Sequence, residues 1–118
     1  MDQTRPPDAV AIGDFLKLDV RAGTVVEAAP IPQARRPALR LVVDFGEPIG
    51  RRTSSAQVTA HYAPETLIGR QVLCVVNLPP RQIGPVRSEV LTLGVPDAGG
   101  AVVLVVPERP VPDGGRLY

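Results

Sequence analysis

The chain has no tryptophan, and its aromatic residues stop at Phe15, Phe45, Tyr62 and Tyr118. A single-strand nucleic-acid binder that works by stacking needs rows of aromatic platforms, so this scarcity counts against one. There is one cysteine, Cys74, which excludes an internal disulfide. Set inside an apolar run, it reads as a small buried hydrophobe rather than a reactive thiol. The one histidine, His61, has no cysteine or carboxylate at metal-ligand spacing. No zinc site is expected, and His61 is placed at the surface ahead of a short helix. No glycine-rich loop that cradles phosphate is present, so neither a cofactor nor an ATP-driven mechanism is expected. Ser54, Ser55 and Ser88 lack a base and an orienting group, so no catalytic role is expected either. The longest apolar run, residues 101–106, is far too short to cross a bilayer. The first eight residues are polar and proline-rich rather than leader-like, so the expectation is a cytoplasmic protein without membrane insertion.

What is present is turn chemistry and arginine. A length of 118 residues suits one domain with a modest core. Fourteen prolines and eleven glycines punctuate the chain into short elements, which favours an all-β fold over a helical bundle. Twelve of the thirteen cations are arginine, the side chain suited to bidentate contacts with phosphate or carboxylate. The net charge of +1 is unevenly placed: residues 35–87 hold eight arginines against three acids, or +5, and the remainder holds five cations against nine acids, or −4. A basic middle suits an anionic partner, and it equally suits a solvated surface that balances on folding; composition leaves both open.

Taken in order, residues 1–12 form a proline-rich N-terminal arm, with a helical turn expected over residues 12–18 and Phe15, Leu16 and Leu18 as its apolar contacts. Residues 20–28 alternate as a first strand, in which Gly23 suggests a bulge or sharp bend. Residues 39–45 alternate apolar and polar as a half-buried strand. Residues 51–58, RRTSSAQV, return as a hydroxyl-rich strand with Arg51, Thr53, Ser55 and Gln57 on one face. Residues 64–69 fit a short helix, with proline at its first position and glycine past its end. Residues 72–76 read as a central strand. It breaks at Asn77-Leu78-Pro79-Pro80, crosses a loop carrying Arg81 and Arg87 around Gly84-Pro85, and resumes as a strand at residues 89–93. Residues 101–106 are apolar throughout and need cover on both faces. Five strands with a short helix between the third and fourth is the order of an OB-fold, a Greek-key barrel. The spare apolar strand needs a cover, for which a second copy of the chain is the expected source.

Four motifs carry a resemblance: residues 14–23, DFLKLDVRAG; residues 54–58, SSAQV; residues 77–84, NLPPRQIG; and residues 88–91, SEVL. Together they resemble the tRNA-binding OB-domain family, which includes the C-terminal domain of bacterial methionyl-tRNA synthetases. Within it the chain is most similar to the CsaA-type secretion chaperones. The likeness covers residues 13–114. It implies an all-β fold, a five-stranded OB barrel at residues 13–95, with N- and C-terminal extensions, the latter at residues 96–118, through which a homodimer forms. It implies binding rather than catalysis: unfolded or precursor polypeptides and the export ATPase SecA for the chaperone branch, tRNA for its relatives. The implied binding face holds Ser54, Ser55, Gln57, Asn77, Arg81, Arg87, Ser88 and Glu89. On the residues alone, Leu78, Pro79, Pro80 and Ile83 beside Arg81 and Arg87 would give apolar ground with a basic rim. The same residues leave Arg35 and Arg36 on an ordinary loop.

Overall fold

The computed structural model describes residues 8–118; residues 1–7 of the expected N-terminal arm lie outside the described residues. The core is one twisted sheet in the order β3-β2-β1-β4-β7. Its strands are β1 (Val20–Pro30), β2 (Leu39–Asp44), β3 (Arg51–Ala56), β4 (Gln71–Val75) and β7 (Leu91–Thr92). Every neighbouring pair in this sheet is antiparallel. The two ends of the sheet then meet, because Glu89 just ahead of β7 donates its N–H to Thr53 O of β3 at 2.7 Å. The expected five-stranded OB barrel is the fold. The expected helix between the third and fourth strands is α2 (Pro64–Leu67), with proline in its first turn and Gly69 just past its end at a φ of 90°.

The barrel interior is filled from alternate positions of these strands. Val25, Leu41, Val43, Phe45, Leu67 and Val72 are all at most 1% exposed, and Cys74 lies among them. Burial pushes the Cys74 thiol up to about 11, against one hydrogen bond from Thr92 that lowers it, so the cysteine is a packing residue as expected.

Gly23 does not carry the bulge that its place in the strand suggested. The register shift in β1 falls between Val25 and Glu27, which pair with the consecutive residues Val43 and Val42. Gly23 serves packing instead. A Cβ there would lie 2.6 Å from Val43 Cγ1 and 2.7 Å from Phe45 Cδ1, two side chains with no room to retreat.

Several segments differ from the sequence reading. The strand expected over residues 51–58 ends at Ala56. The loop expected between residues 77 and 88 contains a two-stranded hairpin, β5 (Arg81–Ile83) and β6 (Val86–Ser88). The strand expected over residues 89–93 is shortened to β7, and the chain then enters a second hairpin, β8 (Gly94–Pro96) with β9 (Val102–Leu104). That hairpin straddles the expected boundary between barrel core and C-terminal extension. The helix α1 (Ile12–Leu16) forms, but none of its residues is buried, and Leu16 and Leu18 are exposed rather than packed.

The C-terminal segment docks on its own barrel. β2 covers β1 only from Thr24 onward. Ahead of that point, Ala22 N–H donates to Gly115 O at 2.9 Å, Gly114 N–H to Ala22 O at 2.7 Å, and Leu117 N–H to Val20 O at 2.9 Å. Arg116 Nη2 then reaches the carbonyls of Leu16 and Leu18, at 3.0 and 3.3 Å. No helix among the described residues is long and apolar enough to cross a membrane.

The close approach at Gly23 generates a direct check. Gly23→Ala is expected to lose about 1–3 kcal/mol of stability by overpacking the space between Val43 and Phe45. Urea unfolding will show it as a lowered midpoint at unchanged slope.

Candidate functional site

The hairpin β5–β6 is set by its turn. Gly84 sits at a φ of 55°, and Pro85 follows with its fixed negative φ. That sign pattern belongs to the type II′ turn, whose twist matches a two-residue hairpin. The register pairs Arg81 with Ser88, Gln82 with Arg87, and Ile83 with Val86. Directly opposed residues share a face, so Arg81, Ile83, Val86 and Ser88 lie on one side and Gln82 and Arg87 on the other. This corrects the expectation that Arg81 and Arg87 work together: they share a hairpin but not a face.

The inner face of the hairpin leads into the barrel seam. Glu89 Oε1 accepts the N–H of Thr53 at 3.0 Å, on the same residue whose carbonyl takes the Glu89 N–H. Ser88 Oγ accepts the N–H of Ser55 at 3.0 Å and donates to Val90 O at 3.2 Å. Ser54 is 0% exposed, with its hydroxyl 2.7 Å from Thr92 Oγ1 and 3.2 Å from Val90 O. Side chains therefore stand in for part of a backbone ladder between β3 and the chain entering β7. Ser54, expected on the binding face, belongs to the interior; its hydroxyl joins the two strands and reaches no surface.

Asn77 is also engaged elsewhere. Its Oδ1 accepts the N–H of Asp19 and its Nδ2 donates to Lys17 O, both at 2.8 Å. It ties the end of β4 to the start of β1, a long-range cross-link rather than a bond within its own turn. Arg87 forms no ion pair with Glu89, whose carboxylate is turned to Thr53.

Beside the seam opens a groove of about 610 Å³. Of the eight residues expected on the binding face, five line it: Ser55, Gln57, Arg81, Ser88 and Glu89. Leu78, Pro79 and Ile83 form apolar ground there as expected, and Pro80 does not. The sequence reading missed the opposite wall, Leu91 of β7 with Val102 and Leu104, the last two brought to the groove by the β8–β9 hairpin. It also set aside Arg35 and Arg36. Their loop packs on the arginine hairpin through Ile31, Ala38 and Val86, so both arginines belong to segments packed at one end of the barrel with Arg81 and Arg87. Arg35, Arg36, Arg81 and Arg87 have no salt-bridge partner among the described residues.

His61 sits ahead of α2 as expected, with Nε2 at 2.7 Å from Asp97 Oδ2. That contact, with the N–H groups of Ala101 and Gly99, holds the Asp97 carboxyl below the usual carboxylate range and fixes the β8–β9 turn. Among the described residues, no three metal-ligating side chains gather.

The seam makes a specific claim about Glu89. Glu89→Ala is expected to cost about 1–2 kcal/mol by leaving the Thr53 N–H without its acceptor, whereas Glu89→Gln keeps a carbonyl there and recovers most of the loss. Chemical denaturation of the two variants side by side will separate acceptor from charge.

Residues 20–116 match the family described as "Putative tRNA binding domain". A methionine–tRNA ligase of Porphyromonas gingivalis is 41% identical over 108 residues, which cover 92% of this chain and 15% of the ligase. The chain thus spans about 15% of the length of that curated relative. Among solved structures, the chaperone CsaA of Bacillus anthracis superposes with a TM-score of 0.86 at 48% identity, covering 94% of this chain and 100% of that one. The CsaA chaperone protein of Picrophilus torridus gives the same TM-score at 37% identity, covering 93% and 100%.

Proposed function

The chain belongs to the tRNA-binding domain family, and from that premise we propose that it acts as a CsaA-type chaperone that holds unfolded or precursor polypeptides without ATP. The observation that carries this reading is the groove beside the barrel seam, walled by Leu78, Pro79, Ile83 and Leu91, with Arg81 among its lining residues. Apolar walls accept side chains with little regard to sequence, and an unpaired arginine accepts a carboxylate or a backbone carbonyl. Similarity supports it as well, since the match to the Bacillus anthracis chaperone takes in that whole chain.

Magnitudes favour a holding role. Seating two or three apolar side chains contributes about 1.5–3 kcal/mol each. Association costs on the order of 4 kcal/mol or more. The two terms nearly offset, so what remains is at most weak, reversible capture, and release would need no nucleotide. The proposed setting is the cytoplasm, which suits a chain whose one thiol is buried and unpaired. The export ATPase SecA is the proposed recipient of clients.

A homodimer is part of the proposal. Ile12 and Leu16 of α1 are 72% and 52% exposed, and Val95 and Val103, paired across β8–β9, are 56% and 41% exposed. Exposed apolar side chains in this number on α1 and on the β8–β9 hairpin are what a second copy would cover.

The test compares two ligands. Wild type is expected to suppress aggregation of a chemically unfolded client, and Arg81→Glu is expected to weaken that protection severalfold. A gel shift with total tRNA runs alongside at near-physiological salt. Tight, steeply salt-dependent tRNA binding with no client protection would overturn the chaperone reading in favour of a tRNA-binding module acting in trans. Sedimentation at micromolar concentration is expected to show a dimer, and Ile12→Asp with Val103→Asp is expected to shift it to monomer; a monomeric wild type would remove the dimer from the proposal.

A further inference from the structure

We infer that the groove captures its client as an added β-strand. An extended polypeptide segment pairs its backbone with the open end of the β3 edge at Ser55 and Gln57, while alternate side chains enter the apolar groove. The inference rests on the client-holding reading above and specifies how that site recognises its ligand.

The argument begins with where β3 sends its backbone. β3 pairs with β2 on one side. On its other side, Thr53 N–H goes to Glu89 Oε1 and Ser55 N–H goes to Ser88 Oγ. These alternate groups point across the seam, and the seam satisfies them with side chains. Two residues further on, the supply ends. Gln57 is exposed, and its N–H has no hydrogen-bond partner among the described residues. The Ser55 carbonyl receives only the 3.3 Å contact from Ser54 Oγ, which leaves a lone pair free.

The strand that would have continued the seam has turned away. Thr92 and Leu91 pair with Cys74 and Val75, and Leu93 N–H donates to Leu73 O, so this segment is held to β4. The space between the end of β3 and this segment is the groove, with Ser55 and Gln57 on one wall and Leu91 and Gly94 on the other.

An open strand edge is a template for another chain. Main-chain pairing carries no sequence information, so it suits a binder of many different clients. The flanking chemistry narrows the class. A segment with apolar residues at alternate positions would place them toward Val58, Val90 and Leu104, and a carboxylate near one end would meet Arg81.

The experiment uses a short fluorescein-labelled peptide of alternating valine and threonine with glutamates at one end, read by anisotropy against the full chain. N-methylating one alternate set of peptide amides is expected to weaken binding about tenfold, and methylating the other set is expected to leave it nearly unchanged. Gln57→Pro deletes an N–H that the free protein does not use, whereas Gln57→Ala deletes only the side chain. The proline variant is expected to bind roughly three- to tenfold more weakly than the alanine variant, as one hydrogen bond would dictate. Equal binding by both variants together with indifference to N-methylation would overturn strand addition while leaving client holding intact. If Gln57→Pro fails to fold, the methylated series on wild type decides alone. If wild type neither binds the peptide nor protects an unfolded client, the holding reading falls and takes this inference with it.

Discussion

The fold depends on how its sheet closes. A barrel must join its first and last strands, and here that junction is short. One backbone bond links Glu89 to Thr53, and the remaining cross-links come from the Glu89 carboxylate and the Ser88 and Ser54 hydroxyls. Side chains can bridge strands that lie too far apart or too skewed for a ladder, so the junction tolerates divergence. They also satisfy edge groups that would otherwise be left open. Ser54 of SSAQV and Ser88 and Glu89 of SEVL are therefore built into the architecture first.

Divergence at the junction is what creates a concavity. Were β3 and β7 laddered along their full length, no space would remain between residues 55–58 and 91–94. Because β7 stays with β4 while β3 follows β2, the sheet splays, and the β5–β6 and β8–β9 hairpins wall the gap from either side. Placement of binding ground beside the third strand and the loop between the fourth and fifth barrel strands accords with the general use of OB barrels. In this chain the walls are mostly aliphatic and a single arginine, Arg81, is among the lining residues, a combination that suits a polypeptide better than stacked bases.

Much of this was readable from residues alone. Alternation placed β1 to β3, a continuous apolar run placed β4, the proline–glycine asymmetry placed α2, and Gly84-Pro85 marked the turn between Arg81 and Arg87. What was not readable shares one cause: it depends on which strand lies opposite. Period two predicts that Ser54 faces away from Ser55, but only closure decides which face is the interior. Gly23 invites a bulge by local rules, yet the crowding comes from Val43 and Phe45 on the neighbouring strand. Arg81 and Arg87 look equivalent in a loop and become inequivalent once the loop is a hairpin. Arg35 and Arg36 gained their neighbours through a three-residue apolar contact that no window of sequence contains.

The same closure bears on what the groove can do. A site for acid–base or nucleophilic chemistry needs a side chain free to exchange a proton at a reacting atom. Here the Glu89 carboxylate is held by the Thr53 N–H, the Ser88 hydroxyl by Ser55 and Val90, and the Ser54 and Thr92 hydroxyls by each other. The groups the barrel uses to shut thus stand beside the groove already engaged in structural hydrogen bonds. The rest of the lining is the end of β3, aliphatic walls and the Arg81 guanidinium, which has no salt-bridge partner among the described residues, and each of these is able to hold a chain. That arrangement, set by the way the barrel closes, is the physical ground for the proposed holding role.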